Sequence, residues 1–204
     1  MNKNFIILLL GISGVGKTSV AFLMKKKLKE KKIDCILIEP FILKEYLLLI
    51  LKKKKLYKKE YENKNIIDLH NLFGKSYVKY HRLAWKSLIR EINIWEKDTV
   101  IIITSHCLVK RDNNFREICN KEIIKIINPD FCVLLTESSE EIKKRRIKTK
   151  NKKIIEKGFF SLKGIGEENL REKECSLNIL NGKLEIYTNR RLKDTVNFLL
   201  DKLP

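Results

Sequence analysis

A chain of 204 residues, 44% hydrophobic and 34% charged, has the material for one domain with a real core. Its apolar runs stay well short of the ~18 residues that a membrane span needs, and the apolar start is too short and too weakly basic for a secretory signal, so no membrane partner is expected and the cytoplasm is the expected compartment. The net charge of +19 admits nucleic acid, but lysine dominates and is spread along the chain as a solvated, codon-biased surface would be, so that partner is left open and not favoured.

In chain order, residues 5–10 form a continuous apolar run that reads as a buried strand and enters the loop "GISGVGKTS" at 11–19. A helix is expected over 18–31, then a short strand at 33–38 that Glu39-Pro40 stops. The segment 41–53 has helical length, and the lysine-rich 52–65 reads as an exposed helix end or loop. Tyr77, Leu83, Ala84, Leu88, Ile92 and Trp95 recur every three to four residues, which predicts one long amphipathic helix over 74–97. On that helix His81, Arg82 and Trp85 read as packing and surface rather than site.

Two more β-branched runs follow at 99–104 and 130–136, with a helical pattern between them at 116–128. A helix over 137–150 opens acidic and closes basic, as a helix dipole prefers. A glycine-containing loop is expected at 151–166, then a helix over 167–180, a strand at 183–188 and a last helix. The five cysteines (Cys35, Cys107, Cys119, Cys132 and Cys175) form no C-x-x-C pair, so they read as small core residues rather than a zinc site or disulfide framework.

Apolar strands alternating with helices predict an α/β fold, a three-layer α/β/α P-loop arrangement on a five-stranded parallel sheet with a short lid. Ligands in such sheets bind at the carboxyl ends of the strands. There the spacing Gly11-x-x-x-x-Gly16-Lys17-Thr18 matches the phosphate-binding loop in full. Glycines at 11, 14 and 16 let successive N–H groups turn inward, with Ser13, Val15 and Ser19 completing the nucleotide-binding set. Lys17 supplies a point charge for the β- and γ-phosphates of ATP, and the Thr18 hydroxyl a place on Mg²⁺.

Taken with "TSHCLVK" (104–110), "NPDFCVLLTESSEEIKKRR" (128–146) and "LEIYTNR" (184–190), the loop makes the whole chain resemble the archaeal-type adenylate kinases within the P-loop nucleoside monophosphate kinases. The resemblance implies a single kinase domain over 1–204, with acceptor-binding helices at about 40–97 and a lid at about 150–166. It implies ATP and Mg²⁺ as cofactors and a nucleoside monophosphate, AMP foremost, as acceptor; a homo-oligomer stays open. By the same matching, Arg145 and Arg146 stand with Lys17 as the residues that gather charge on the transferring group. His106, Lys110 and Arg171 fall on the acceptor side, and Asn189 next to the adenine.

The chain also departs from that family. Thr104 stands where the family has an aspartate, leaving Asp112 as a substitute carboxylate, and the lid's Arg-x-Arg-Asp appears as Lys150-Asn151-Lys152-Lys153. Lysine keeps the charge but loses the two-pronged grip of guanidinium. Glu39-Pro40 is similar to the Glu-Pro of deoxynucleoside and thymidylate kinases, which makes Glu39 a substrate-side residue and another nucleotide or deoxynucleoside kinase the second reading. The third is a nucleotide-binding protein whose catalysis has decayed and which holds RNA or a protein.

Overall fold

The computed structural model describes residues 3–95, 97–111, 114–148, 161–180, 184–188 and 191–204. It opens with β1 (Phe5–Leu10), α1 (Lys17–Glu30), β2 (Cys35–Ile38) and α2 (Pro40–Lys53). After a 3₁₀ turn at Lys59–Asn63 come α3 (Ile66–Phe73), α4 (Lys75–Trp95) and β3 (Val100–Thr104). Then follow β4 (Leu108–Arg111), β5 (Asn114–Glu117), α5 (Lys121–Ile127), β6 (Phe131–Thr136) and α6 (Ser139–Lys148). The chain closes with α7 (Leu162–Leu180), β7 (Leu184–Thr188) and α8 (Leu192–Leu200).

Five strands form one sheet in the order β2-β3-β1-β6-β7, and every neighbouring pair is parallel. Both faces are covered, which is why these runs are continuously apolar instead of alternating. Successive side chains point to opposite faces. Leu8, Leu10, Ile101, Ile103 and Leu134 therefore pack into one core with α2, α4 and α5. Ile7, Leu9, Ile102, Val133 and Leu135 pack into the other with α1, α8 and Ile142 of α6. Asp130 fixes the register of β6 from outside the strand: its Oδ2 accepts the Ile6 N–H at 2.9 Å, and its own N–H reaches the Ile6 carbonyl.

Cys107, Cys119 and Cys132 are buried, as their apolar settings suggest. Among the described residues no helix is long and apolar enough to cross a membrane.

The expected elements need two corrections and one addition. The helix expected over 116–128 starts only at Lys121, because Arg116 and Glu117 belong to an antiparallel hairpin in which Leu108 pairs with Glu117 and Arg111 with Asn114. The Asn120 side chain accepts the Ile123 N–H at 3.0 Å and sets the later start. The loop expected over 151–166 overlaps α7, whose first turn begins at Leu162; residues 149–160, with Lys150, Asn151, Lys152 and Lys153, lie outside the described residues. Finally, 66–73 is a helix capped by Asn65, whose Oδ1 accepts the Asp68 N–H at 2.9 Å.

Leu8 lies fully buried on the central strand. Leu8→Ala is expected to lower unfolding free energy by about 2–5 kcal/mol in denaturant titration, the range for a large-to-small change in a packed core.

Candidate active site around the phosphate loop

Strand β1 delivers the chain into the loop at a point with no room for a side chain. Gly11 has φ +135°, and a β-carbon there would stand 2.5 Å from the Leu135 carbonyl oxygen. Gly14 and Gly16 also hold positive φ, and Gly16 caps the N-terminus of α1. The loop thus turns its N–H groups and the positive end of α1 to one place. Ser13, Thr18 and Ser19 are exposed there, while Val15 is buried beneath them.

Lys17 lies folded back over the loop. It is 8% exposed, and its Nζ donates to the Gly11 carbonyl at 2.6 Å and the Ile12 carbonyl at 3.1 Å. Burial lowers its pKa to about 8, while the carboxylates of Glu172 and Glu168 pull it upward. Each of those carboxylates has a further partner: Glu168 pairs with Arg146 at 2.9 Å, and Glu172 accepts the N–H groups of Cys107 and Leu108 at 2.7 and 2.8 Å.

The two arginines of α6 clamp the loop through its carbonyls. Arg145 donates to Val15 O and Glu137 Oε2, both at 3.1 Å; Arg146, only 2% exposed, donates through Nε to Ser13 O at 2.9 Å. Both expected residues are therefore brought to the loop, where they hold its backbone.

On the acceptor side a cavity of about 630 Å³ opens beside the loop. Glu39, at the carboxyl end of β2, lines it and also receives the Thr18 hydroxyl at 3.5 Å. Thr104, Ser105 and His106 line it from the end of β3. Burial, then the charges of Lys17 and Arg146, holds the His106 imidazole well below its ordinary pKa, so at neutral pH it offers hydrogen bonds rather than charge. The opposite wall is aromatic: Tyr77 stacks on His81 at 4.9 Å between ring centroids, and Trp85 meets His81 edge-on at 6.3 Å. Phe41, 61% exposed, stands at the same cavity.

Some expected site residues lie elsewhere. Arg171 is exposed on α7 and pairs with Glu174 at 3.4 Å, so it is not brought to the loop. Lys110 lies on β4 in the hairpin that follows His106. Asn189 and Asp112 fall outside the described residues. Conversely, His81 and Trp85 reach the cavity wall although their spacing reads as packing, while Arg82 pairs with Glu122 at 2.8 Å. Glu137 is read in the sequence only as the acidic opening of its helix, and Glu168 and Glu172 go unread. A spacing of four residues between 168 and 172 on an otherwise solvated-looking helix is the only signal they give.

A parallel sheet with a glycine loop feeding the N-terminus of α1, and a cavity at the strand ends beside it, defines a P-loop kinase of the nucleoside monophosphate kinase-like class. The chain belongs to the family described as the AAA domain, whose model matches residues 56–157, half of its length. The adenylate kinase of Methanocaldococcus jannaschii is 24% identical over 203 residues, 98% of this chain and 94% of that one. Shikimate kinase from Bacteroides thetaiotaomicron shares the fold with a TM-score of 0.58 and 16% identity over 97% of each chain. Shikimate kinase from Acinetobacter baumannii, solved with shikimate, has a TM-score of 0.52 at 16% identity over 100% of this chain and 97% of its own.

The lowered pKa of Lys17 fixes the sign of a pH effect on nucleotide binding. A phosphate beside the ammonium raises its pKa again, so affinity falls as pH rises through about 8. Calorimetric titration is expected to show about a tenfold weaker Kd for ATP at about pH 9 than at about pH 7. Lys17→Met is expected to bind weakly with no such slope.

Proposed function

We propose that the protein transfers the γ-phosphoryl group of ATP to a nucleoside monophosphate, AMP foremost. The observation that supports this reading best is the 630 Å³ cavity, which is lined by Glu39, the partner of the phosphate-loop Thr18 hydroxyl, and by the aromatic wall of Tyr77, His81 and Trp85. Its size falls in the ~300–1,000 Å³ range of small-ligand sites. A flat base stacks on such a wall, and Asn63 and Asn65 bring amide groups to the same space. Lys44 and Lys64 add positive charge for an acceptor phosphate.

The chemistry asks mainly for position and charge neutralisation. The loop N–H groups and Lys17 hold the β- and γ-phosphates, and Lys17 leaves the Gly11 and Ile12 carbonyls to do so. Arg145 and Arg146 act by keeping the loop in its curled form and by adding positive field close to it. The Thr18 hydroxyl and the Glu39 carboxylate, both hard oxygen ligands, fit Mg²⁺, and Glu39 supplies the acidic group that Thr104 does not. When bound, the ion neutralises charge on the phosphate oxygens.

One observation favours a second reading. Glu39 faces both the loop and the cavity, which is where a base acting on an acceptor hydroxyl would stand, so a nucleoside or a small hydroxy acid would also be served. Glu39→Gln separates the two. A phosphate acceptor predicts a loss of about tenfold that extra magnesium partly restores, whereas a hydroxyl acceptor predicts about 10²–10⁴-fold that magnesium does not.

Phe41, exposed at the same cavity, offers a base a further aromatic wall outside the core. Phe41→Ala is expected to raise KM for AMP by about tenfold, the loss of one base–aromatic stack, and to leave ATP affinity unchanged in equilibrium binding. An unchanged KM would remove the base from that wall.

A further inference from the structure

Glu172 is a fully buried carboxylate that makes more contacts than the fold requires. Oε1 accepts the Cys107 N–H at 2.7 Å and Oε2 accepts the Leu108 N–H at 2.8 Å. A glutamine amide in its place offers one acceptor oxygen where the carboxylate offers two, so one of those N–H groups loses its partner. Burial raises the pKa of Glu172, while the N–H groups of Cys107 and Leu108, and then the charge of Lys17, favour its ionised form. Cys107 and Leu108 directly follow the Ser105 and His106 that line the cavity, so this side chain ties that segment to α7.

The rest of the same helix face supports the arrangement. Glu168, Glu172 and Ser176 recur every four residues, so they project from one side of α7. Glu168 holds Arg146, which in turn holds the Ser13 carbonyl, and the Ser176 hydroxyl donates to Cys107 Sγ at 3.2 Å. One face of α7 is therefore bonded to the clamp that holds the loop and to the segment after β3.

We propose that Glu172 is a positioning residue for phosphoryl transfer: it locks the segment 105–108 to the face of α7 that holds the phosphate loop through Glu168 and Arg146, and so sets the distance from the acceptor to Lys17. This rests on the transfer reading above, which deepens here into a statement about what aligns the two substrates. Glu172 touches neither substrate; it acts through the backbone of 107 and 108.

The test uses the full chain and the variants Glu172→Gln and Glu172→Asp. Glu172→Gln is expected to lower kcat about 10²-fold and raise KM for AMP, because small misplacements cost that much. ATP affinity is expected to hold or tighten, since a competing anion has left Lys17. Amide exchange at Cys107 and Leu108 should quicken while the amides of β1 and β6 keep their protection, and Glu172→Asp should recover part of kcat. A kcat within about threefold of the parent overturns the proposal, as does a parallel fall of ATP affinity, unfolding midpoint and protection throughout the core. If the parent chain transfers phosphate to no acceptor, the transfer reading fails by itself, and exchange measured with and without ATP then decides. ATP-dependent protection at Cys107 and Leu108 that Glu172→Gln abolishes supports the lock. No ATP dependence in the parent overturns it.

Discussion

A lysine ammonium almost out of water is the constraint around which this site is built. Lys17 is 8% exposed, and an isolated charge at such a place is unaffordable in a folded protein. Two loop carbonyls and the carboxylates of Glu168 and Glu172 answer it. Those carboxylates are answered in turn by Arg146 and by the N–H groups of Cys107 and Leu108. The charge network ties α1, α6, α7 and the end of β3 together at the mouth of the sheet. Hydrophobic packing on the two sheet faces sets the layers; the buried ammonium sets what converges at their edge.

This arrangement also separates the two tasks of the site. The phosphate loop is rigid by geometry: Gly11 has no room for a β-carbon, and Arg145 and Arg146 hold the carbonyls of Val15 and Ser13. The acceptor cavity is instead built from side chains on four elements, with Glu39 from the end of β2 and Phe41 from α2 facing Tyr77 from α4 and His106 from the end of β3. A fold shared with shikimate kinases and a sequence similar to an adenylate kinase are compatible with one phosphate loop and with acceptor walls that change freely. In the proposed reading acceptor choice belongs to those walls, where Tyr77 stacks on His81 and Trp85 meets it edge-on.

Much of this was legible in the sequence because its signals are local. Burial on both faces writes a strand as an unbroken apolar run, and a tight anion-binding turn writes itself as glycines at fixed spacing, so β1 and the loop read directly from 5–20. The hairpin at 108–117 was not legible, because Arg116 and Glu117 look like the start of the helix that follows and Asn120 decides where that helix begins. Arg171 and Glu172 are adjacent and charged; only the rotation of α7 puts one on the surface and the other at the centre of the site. His81 and Trp85 carry the helical spacing of core residues, and tertiary placement alone turns them onto a cavity.

The measurement that bears most directly on the account is a transfer assay. ATP and magnesium are offered with AMP, CMP, GMP, UMP and dTMP, with nucleosides, and with shikimate, and the products are resolved by chromatography. The account predicts ADP from AMP in preference to any other product, lost in Lys17→Met. Phosphorylated nucleoside or shikimate, with AMP untouched, would contradict the proposed acceptor. ATP bound with nothing phosphorylated would contradict the transfer itself.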